Sequence, residues 1–151
     1  MEAELIYLED LAPGSVYKSS EYRLDAAQIR EFAQRFDPQP FHLDEDAARE
    51  TFFAGLAASG WHTAAITMKL LVESLPLAGG VIGAGSELSW PRPTRPDDVL
   101  HVVSTIMEIT PSRSKADRGI VTVQSDTLNQ RGELCQRSVA RLVAFRRGYR
   151  A

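Results

Sequence analysis

Apolar side chains recur at three- and four-residue steps in two parts of this chain and at roughly two-residue steps over much of its second half, which divides it into a helical portion and a strand-rich one. Ile29, Phe32, Ala33 and Phe36 fall on one face of a helix that Asp25 caps, with Gln28 at the capping-box position. Proline has no amide hydrogen and restricts the residue before it, so Pro38 stops this helix at Asp37. Asp44 then opens a second, short helix reaching Glu50, whose early acids suit the positive end of the helix dipole. After the small, flexible residues 55–60, the longest helical pattern covers 61–75. Ala64, Ala65, Met68, Leu71, Val72 and Leu75 form its apolar face, small enough for a sheet to wrap closely, and Pro76 ends it.

Beyond Gly79-Gly80 the texture changes. Segments 86–90, 99–109, 120–128 and 135–145 are rich in β-branched residues and are separated by turns at Arg95-Pro96-Asp97-Asp98, Pro111-Ser112 and Asn129-Gln130-Arg131-Gly132. Upstream, a short apolar run over 3–9 ends at the turn Leu11-Ala12-Pro13-Gly14, 15–22 reads as extended, and 146–151 reads as a frayed tail. Helices followed by long antiparallel strands, with no linker or internal repeat, predict one α+β domain over 1–151.

Composition narrows the chemistry. With 44% hydrophobic and 25% charged residues in 151, the chain has the make-up of an ordinary globular domain. No apolar run reaches the ~18 residues of a membrane span, and Met1-Glu2-Ala3-Glu4 lacks the basic start of a secretory signal, so a cytoplasmic location is expected. A net charge of −3 argues against nucleic-acid binding. The single cysteine, Cys135, has no partner for an internal disulfide, and histidines at 42, 62 and 101 give no metal-ligand spacing.

The segment Phe36-Asp37-Pro38-Gln39-Pro40-Phe41-His42-Leu43-Asp44 carries the clearest chemical signal. It sets a carboxylate and an imidazole five residues apart in a loop that two prolines stiffen, and preorganisation of that kind is what a proton-transfer pair needs. His62 reads as structural or interfacial, and Trp90 and His101 as sheet residues, though an indole at 90 would also suit the wall of an acyl pocket.

These positions resemble the hydratase motif of the MaoC-like dehydratases and (R)-specific enoyl-CoA hydratases, approximately D-x-N-P-x-H-x-D, matched here by Asp37, Gln39, Pro40, His42 and Asp44. Ala58-Ser59-Gly60-Trp61 sits where that family usually has A-H-G-M at the head of its central helix, and Ser89-Trp90-Pro91-Arg92-Pro93-Thr94-Arg95-Pro96-Asp97-Asp98 resembles its strand and proline-rich turn. Gln39 replaces the usual Asn, Ser59 the common His, and Met68 falls near a small polar position of some hydratases. The resemblance implies a single hotdog domain, a curved antiparallel sheet wrapped around a long central helix. It implies reversible addition of water to a trans-2-enoyl thioester, an acyl-CoA or acyl carrier protein conjugate of fatty acid metabolism. Asp37 and His42 would be the acid-base pair and the Gly60 amide the oxyanion donor, with Ser59, Trp61, Arg92 and Arg95 binding substrate. No metal and no cofactor beyond the coenzyme A of the substrate is implied, and the partner is a second copy, giving a homodimer. Thioester hydrolysis and non-catalytic thioester binding are the alternatives on the same fold.

Overall fold

The computed structural model describes residues 4–150, so Met1–Ala3 and Ala151 lie outside the account. Helix α1 covers Ala26–Phe36 and is followed by the short helices α2, Pro40–Leu43, and α3, Glu45–Arg49. The long helix α4 is Gly60–Ser74. Strands β1, Val16–Lys18, and β2, Tyr22–Arg23, precede the helices, while β3, Ile82–Ser89, β4, Val99–Pro111, β5, Arg118–Leu128, and β6, Leu134–Phe145, follow them. All pairs are antiparallel in the order β1-β4-β5-β6-β3, with β2 also on β4. A curved six-stranded sheet around one central helix is the hotdog fold.

Two core clusters hold helix to sheet. Leu71 and Leu75 at the C-terminal end of α4 pack with Ile106, Val121, Val123 and Leu142. Ile66 and Leu70 pack with Ile29 of α1, Leu24, Leu100, Val102 and Cys135. Strand β5 alternates without a break, so Val121, Val123, Ser125 and Thr127 all face inward. Its inner face is therefore apolar at one end and hydroxylated at the other. There Ser104 and Ser125 hydrogen-bond at 2.9 Å, and Thr67 and Thr127 at 2.6 Å.

Several expectations change. The inward face of α4 is His62, Thr63, Ile66, Thr67, Leu70 and Leu71, whereas Met68 and Val72 are 49% and 46% exposed. Thr127 at the hydroxylated end of the sheet and Thr94 in the turn after β3 decide this, because they offer Thr67 and Thr63 partners that an all-apolar face would leave unpaired. Strand β3 begins four residues before the sequence suggests, since Gly83 and Gly85 flank a bulge and hide its pattern. Asp25 caps α1 by accepting from the Gln28 amide, yet the Gln28 side chain accepts from the Tyr22 hydroxyl instead of closing the box. The tail is tied down as far as Tyr149. Arg147 pairs with Asp10 and lies over the Tyr7 ring, and Tyr149 stacks on Phe145.

Candidate active site

Asp37 is the C-cap of α1, delivered where Pro38 forbids another turn. The chain then makes one helical turn, with Pro40 in its first turn, where the missing amide costs nothing, and His42 lies on it. The loop expected from the two prolines is thus partly helical, and that turn swings His42 back toward Asp37. Its ring is buried, edge-on to Phe41 at 4.5 Å between centroids, with Phe53 beside it.

His42 Nδ1 lies 2.6 Å from the Ala57 carbonyl oxygen. A carbonyl only accepts, so Nδ1 carries the proton and the neutral ring keeps a lone pair on Nε2. Nε2 is 3.3 Å from Asp37 Oδ2. Burial pushes the Asp37 carboxyl up, but hydrogen bonding from Ser59 and Gln39 outweighs it and holds the group below its ordinary value. Asp37 is accordingly a carboxylate at neutral pH. Two acceptors side by side call for a donor that both can share, and water is the smallest molecule with two protons to give.

Both groups line a cavity of about 500 Å³, together with Gln39, Phe41, Phe53, Gly60, Trp61, Trp90, Arg92 and Thr94. Gly60 is the first residue of α4, so its N–H has no acceptor within the helix. A β-carbon there would lie 2.8 Å from Cε2 of the Trp90 indole, and only glycine fits. Glycine thus allows close approach of an indole as well as of any ligand.

The structure brings Asp37, His42, Gly60, Trp61 and Arg92 to one cavity. Ser59 is fully buried behind it, where its hydroxyl accepts from the Trp61 amide at 3.2 Å and helps hold the Asp37 carboxyl low. Arg95 donates to the carbonyls of Phe53, Gly55 and Leu56 and does not line the cavity; it is a staple for the 53–56 loop. Arg92 lines the cavity rim, paired with Glu133 at 3.2 Å. Burial pushes the Cys135 thiol up, away from thiolate chemistry. Trp90, weighted toward the sheet from sequence, lies just beyond β3 and walls the cavity. Its signal was present in the proline that follows it, since Pro91 bars the strand from continuing with a full ladder. Phe53 stands, with Phe52, where the hydratase motif has an aromatic residue, and both line the cavity, whereas Thr94 carried no signal of its own. Among the described residues no group of three or more His, Cys, Asp or Glu could hold a metal ion, and no helix is long and apolar enough to cross a membrane.

The profile of the MaoC like domain family matches residues 10–129. A crystal structure of a MaoC-like dehydratase from Rhodospirillum rubrum is similar at 66% identity and a TM-score of 0.94, covering 95% of this chain and 99% of that one. The uncharacterized protein YdeM of Bacillus subtilis is 35% identical over 127 residues, 82% of this chain and 88% of YdeM. A 3-hydroxybutyryl-CoA dehydratase of Methylorubrum extorquens is 29% identical over 116 residues, 76% of this chain and 73% of that protein.

Proposed function

The chain belongs to the MaoC-like domain family, and from that premise we propose that it is a hydratase/dehydratase adding water reversibly to a trans-2-enoyl thioester. The observation that carries the reading is the His42 tautomer. With Nδ1–H held by Ala57, the Nε2 lone pair and the Asp37 carboxylate form a two-acceptor seat for one water.

That seat meets the difficulty of the reaction. Water is a poor nucleophile, and its attack on Cβ moves the π pair toward the thioester oxygen. In the proposed step the water oxygen bonds to Cβ while the pair accepts a water proton. The enolate charge is met by the Gly60 N–H at the positive end of α4. The held proton then passes to Cα, which restores the pair and leaves a 3-hydroxyacyl thioester. Acid-base assistance of this kind is typically worth ~10²–10⁴ in rate. In this reading Trp61 supplies apolar cover at the cavity, and the exposed Arg92 guanidinium at its rim would meet the coenzyme A phosphates. A hydrolase of this fold would call for a carboxylate on the central helix facing the thioester. The only acid of α4, Glu73, is instead paired with Lys69 near the far end.

The partner in this reading is a second copy of the chain. Among the described residues strand β3 is bonded only to β6, and Met68, which α4 leaves half exposed, lies beside it. The test of activity is incubation with crotonyl-CoA. Loss of the enoyl absorbance without free thiol is the expected result, and thiol release would overturn it in favour of hydrolysis.

A further inference from the structure

A small pocket of about 230 Å³ opens where α1 meets α4, outside the catalytic cavity and sharing no lining residue with it. Phe32 and Phe36 of α1 supply its aromatic walls, and His62 of α4 lines it from the other helix. The two phenyl rings lie 5.1 Å apart between centroids, and Phe36 is 69% exposed, an apolar surface with nothing over it among the described residues. Phe32 stacks flat on the His62 imidazole at 4.5 Å.

His62 is the group that asks for a ligand. It is 8% exposed, yet neither ring nitrogen has a hydrogen-bond partner among the described residues. Nδ1 is sealed from solvent, so the ring meets the pocket through Nε2. Burial lowers the pKa of the ring below its ordinary 6.5, which keeps it neutral at pH 7. An orphaned buried N–H is rarer than an orphaned lone pair, and this puts the single ring proton on Nε2, as a donor to the pocket.

Two more donors converge there. The Tyr22 hydroxyl occupies the Gln28 side-chain oxygen at 3.1 Å, which leaves the Gln28 NH₂ unspent. The Arg35 guanidinium stands 3.6 Å from Glu31, beyond hydrogen-bond reach, and keeps its N–H groups for another acceptor. Glu31 is the one acid lining the pocket, and at 68% exposure its charge is screened by water. Donors set around two aromatic faces favour an anion with a flat apolar body. The volume, below the ~300 Å³ at which drug-sized sites begin, limits that body to about one ring.

We propose that this pocket is a second binding site, for a small aromatic carboxylate whose ring lies against Phe32 and Phe36 and whose charge is met by His62, Gln28 and Arg35. The site is independent of the thioester reading of the catalytic cavity. Its occupant would touch both helices that carry the reacting groups, since Phe36 precedes Asp37 and His62 follows Gly60 by two residues.

The test is a calorimetric titration of the full chain with benzoate, beside benzamide, its uncharged isostere, and benzylammonium, its cationic counterpart. Saturable binding of benzoate to the wild type is expected, with benzamide at least about tenfold weaker because charge-assisted hydrogen bonds are lost. His62→Phe keeps the stack on Phe32 and removes the Nε2 donor, and it should weaken benzoate by a similar factor. Should that variant fail to fold, the exposed Arg35→Gln reads the same loss. Histidine ring signals in NMR give the location: benzoate should shift those of His62 and leave those of His42 in place. No saturable binding, tighter binding of benzylammonium than of benzoate, an affinity unchanged in either folded variant, or a shift of His42 in place of His62 each overturns the assignment.

Discussion

Asp37→Asn isolates the shared seat for water with the least disturbance of shape. In the wild type the carboxylate accepts from Gln39 on one side and faces the His42 Nε2 lone pair at 3.3 Å on the other. An amide has one oxygen and one NH₂. Turned so that the oxygen still accepts from Gln39, it points its N–H at Nε2 and donates to it directly, which occupies the lone pair that the water needs. Turned the other way, it sets two NH₂ groups against each other. Only the first orientation keeps the Gln39 bond, and it removes the pair of acceptors that the water needs. The expected loss in kcat for crotonyl-CoA is about 10²–10⁴, or ~3–5 kcal/mol of transition-state stabilisation. The fold should persist, since Asp37 caps α1 with its backbone and stands half-buried at the cavity. Its effect on stability has a definite sign. The folded-state carboxyl is held below its unfolded value, so the ionised group stabilises the fold above that unfolded value and the gain is lost as pH falls through the folded one. The melting temperature of Asp37→Asn should therefore lie slightly below wild type at neutral pH and converge with it in acid. The assay is enoyl absorbance over a range of substrate concentrations, beside thermal unfolding at several pH values. A folded variant whose kcat falls by less than about tenfold would refute the reasoning, because the general acid-base contribution starts above that.

Other outcomes follow from neighbouring groups. His62 stacks on Phe32 at 4.5 Å with its Nδ1 buried and unpaired, and desolvation lowers its folded pKa below the ordinary 6.5. The unfolded chain then binds the proton more readily, so stability should decline as pH falls from about 7 toward 5. His62→Phe keeps the stack and should flatten that decline in thermal melts; an unaltered pH profile would count against it. Gly60→Ala drives a β-carbon into the Trp90 ring, so it should lower both the melting temperature and kcat/KM for crotonyl-CoA even though the amide donor is retained. Arg95→Met removes three charge-assisted hydrogen bonds to the 53–56 loop and should cost about 2–3 kcal/mol in denaturant unfolding. If Arg95 instead bound the coenzyme, the variant would raise KM with little change in stability.

Local rules account for what could be read along the chain. The stop at Pro38, the cap at Asp25 and the period-two strands β4 to β6 depend on a few adjacent residues, and their positions in the fold agree closely with the pattern. The pairing of Asp37 with His42 was legible for the same reason, because five residues and two prolines leave few conformations. The family motif brought the hotdog fold and the glycine at the head of α4 within reach.

What the residues could not announce depended on partners far along the chain. Which face of α4 turns inward was decided by Thr94, Thr127 and Gln136, between 31 and 69 residues away, which satisfy Thr63 and Thr67. Arg95 looked like a ligand for phosphate until the 53–56 carbonyls were found to surround it. Ser59 faces Asp37 only because α1 and α4 meet there, and Trp90 walls the cavity only because β6 brings Gln136 to its indole. The physical reason is common to all four. Sequence specifies what a backbone can do within a few residues, whereas a polar side chain takes its role from whichever donor or acceptor the finished fold places beside it, since burial without a partner is too costly to persist.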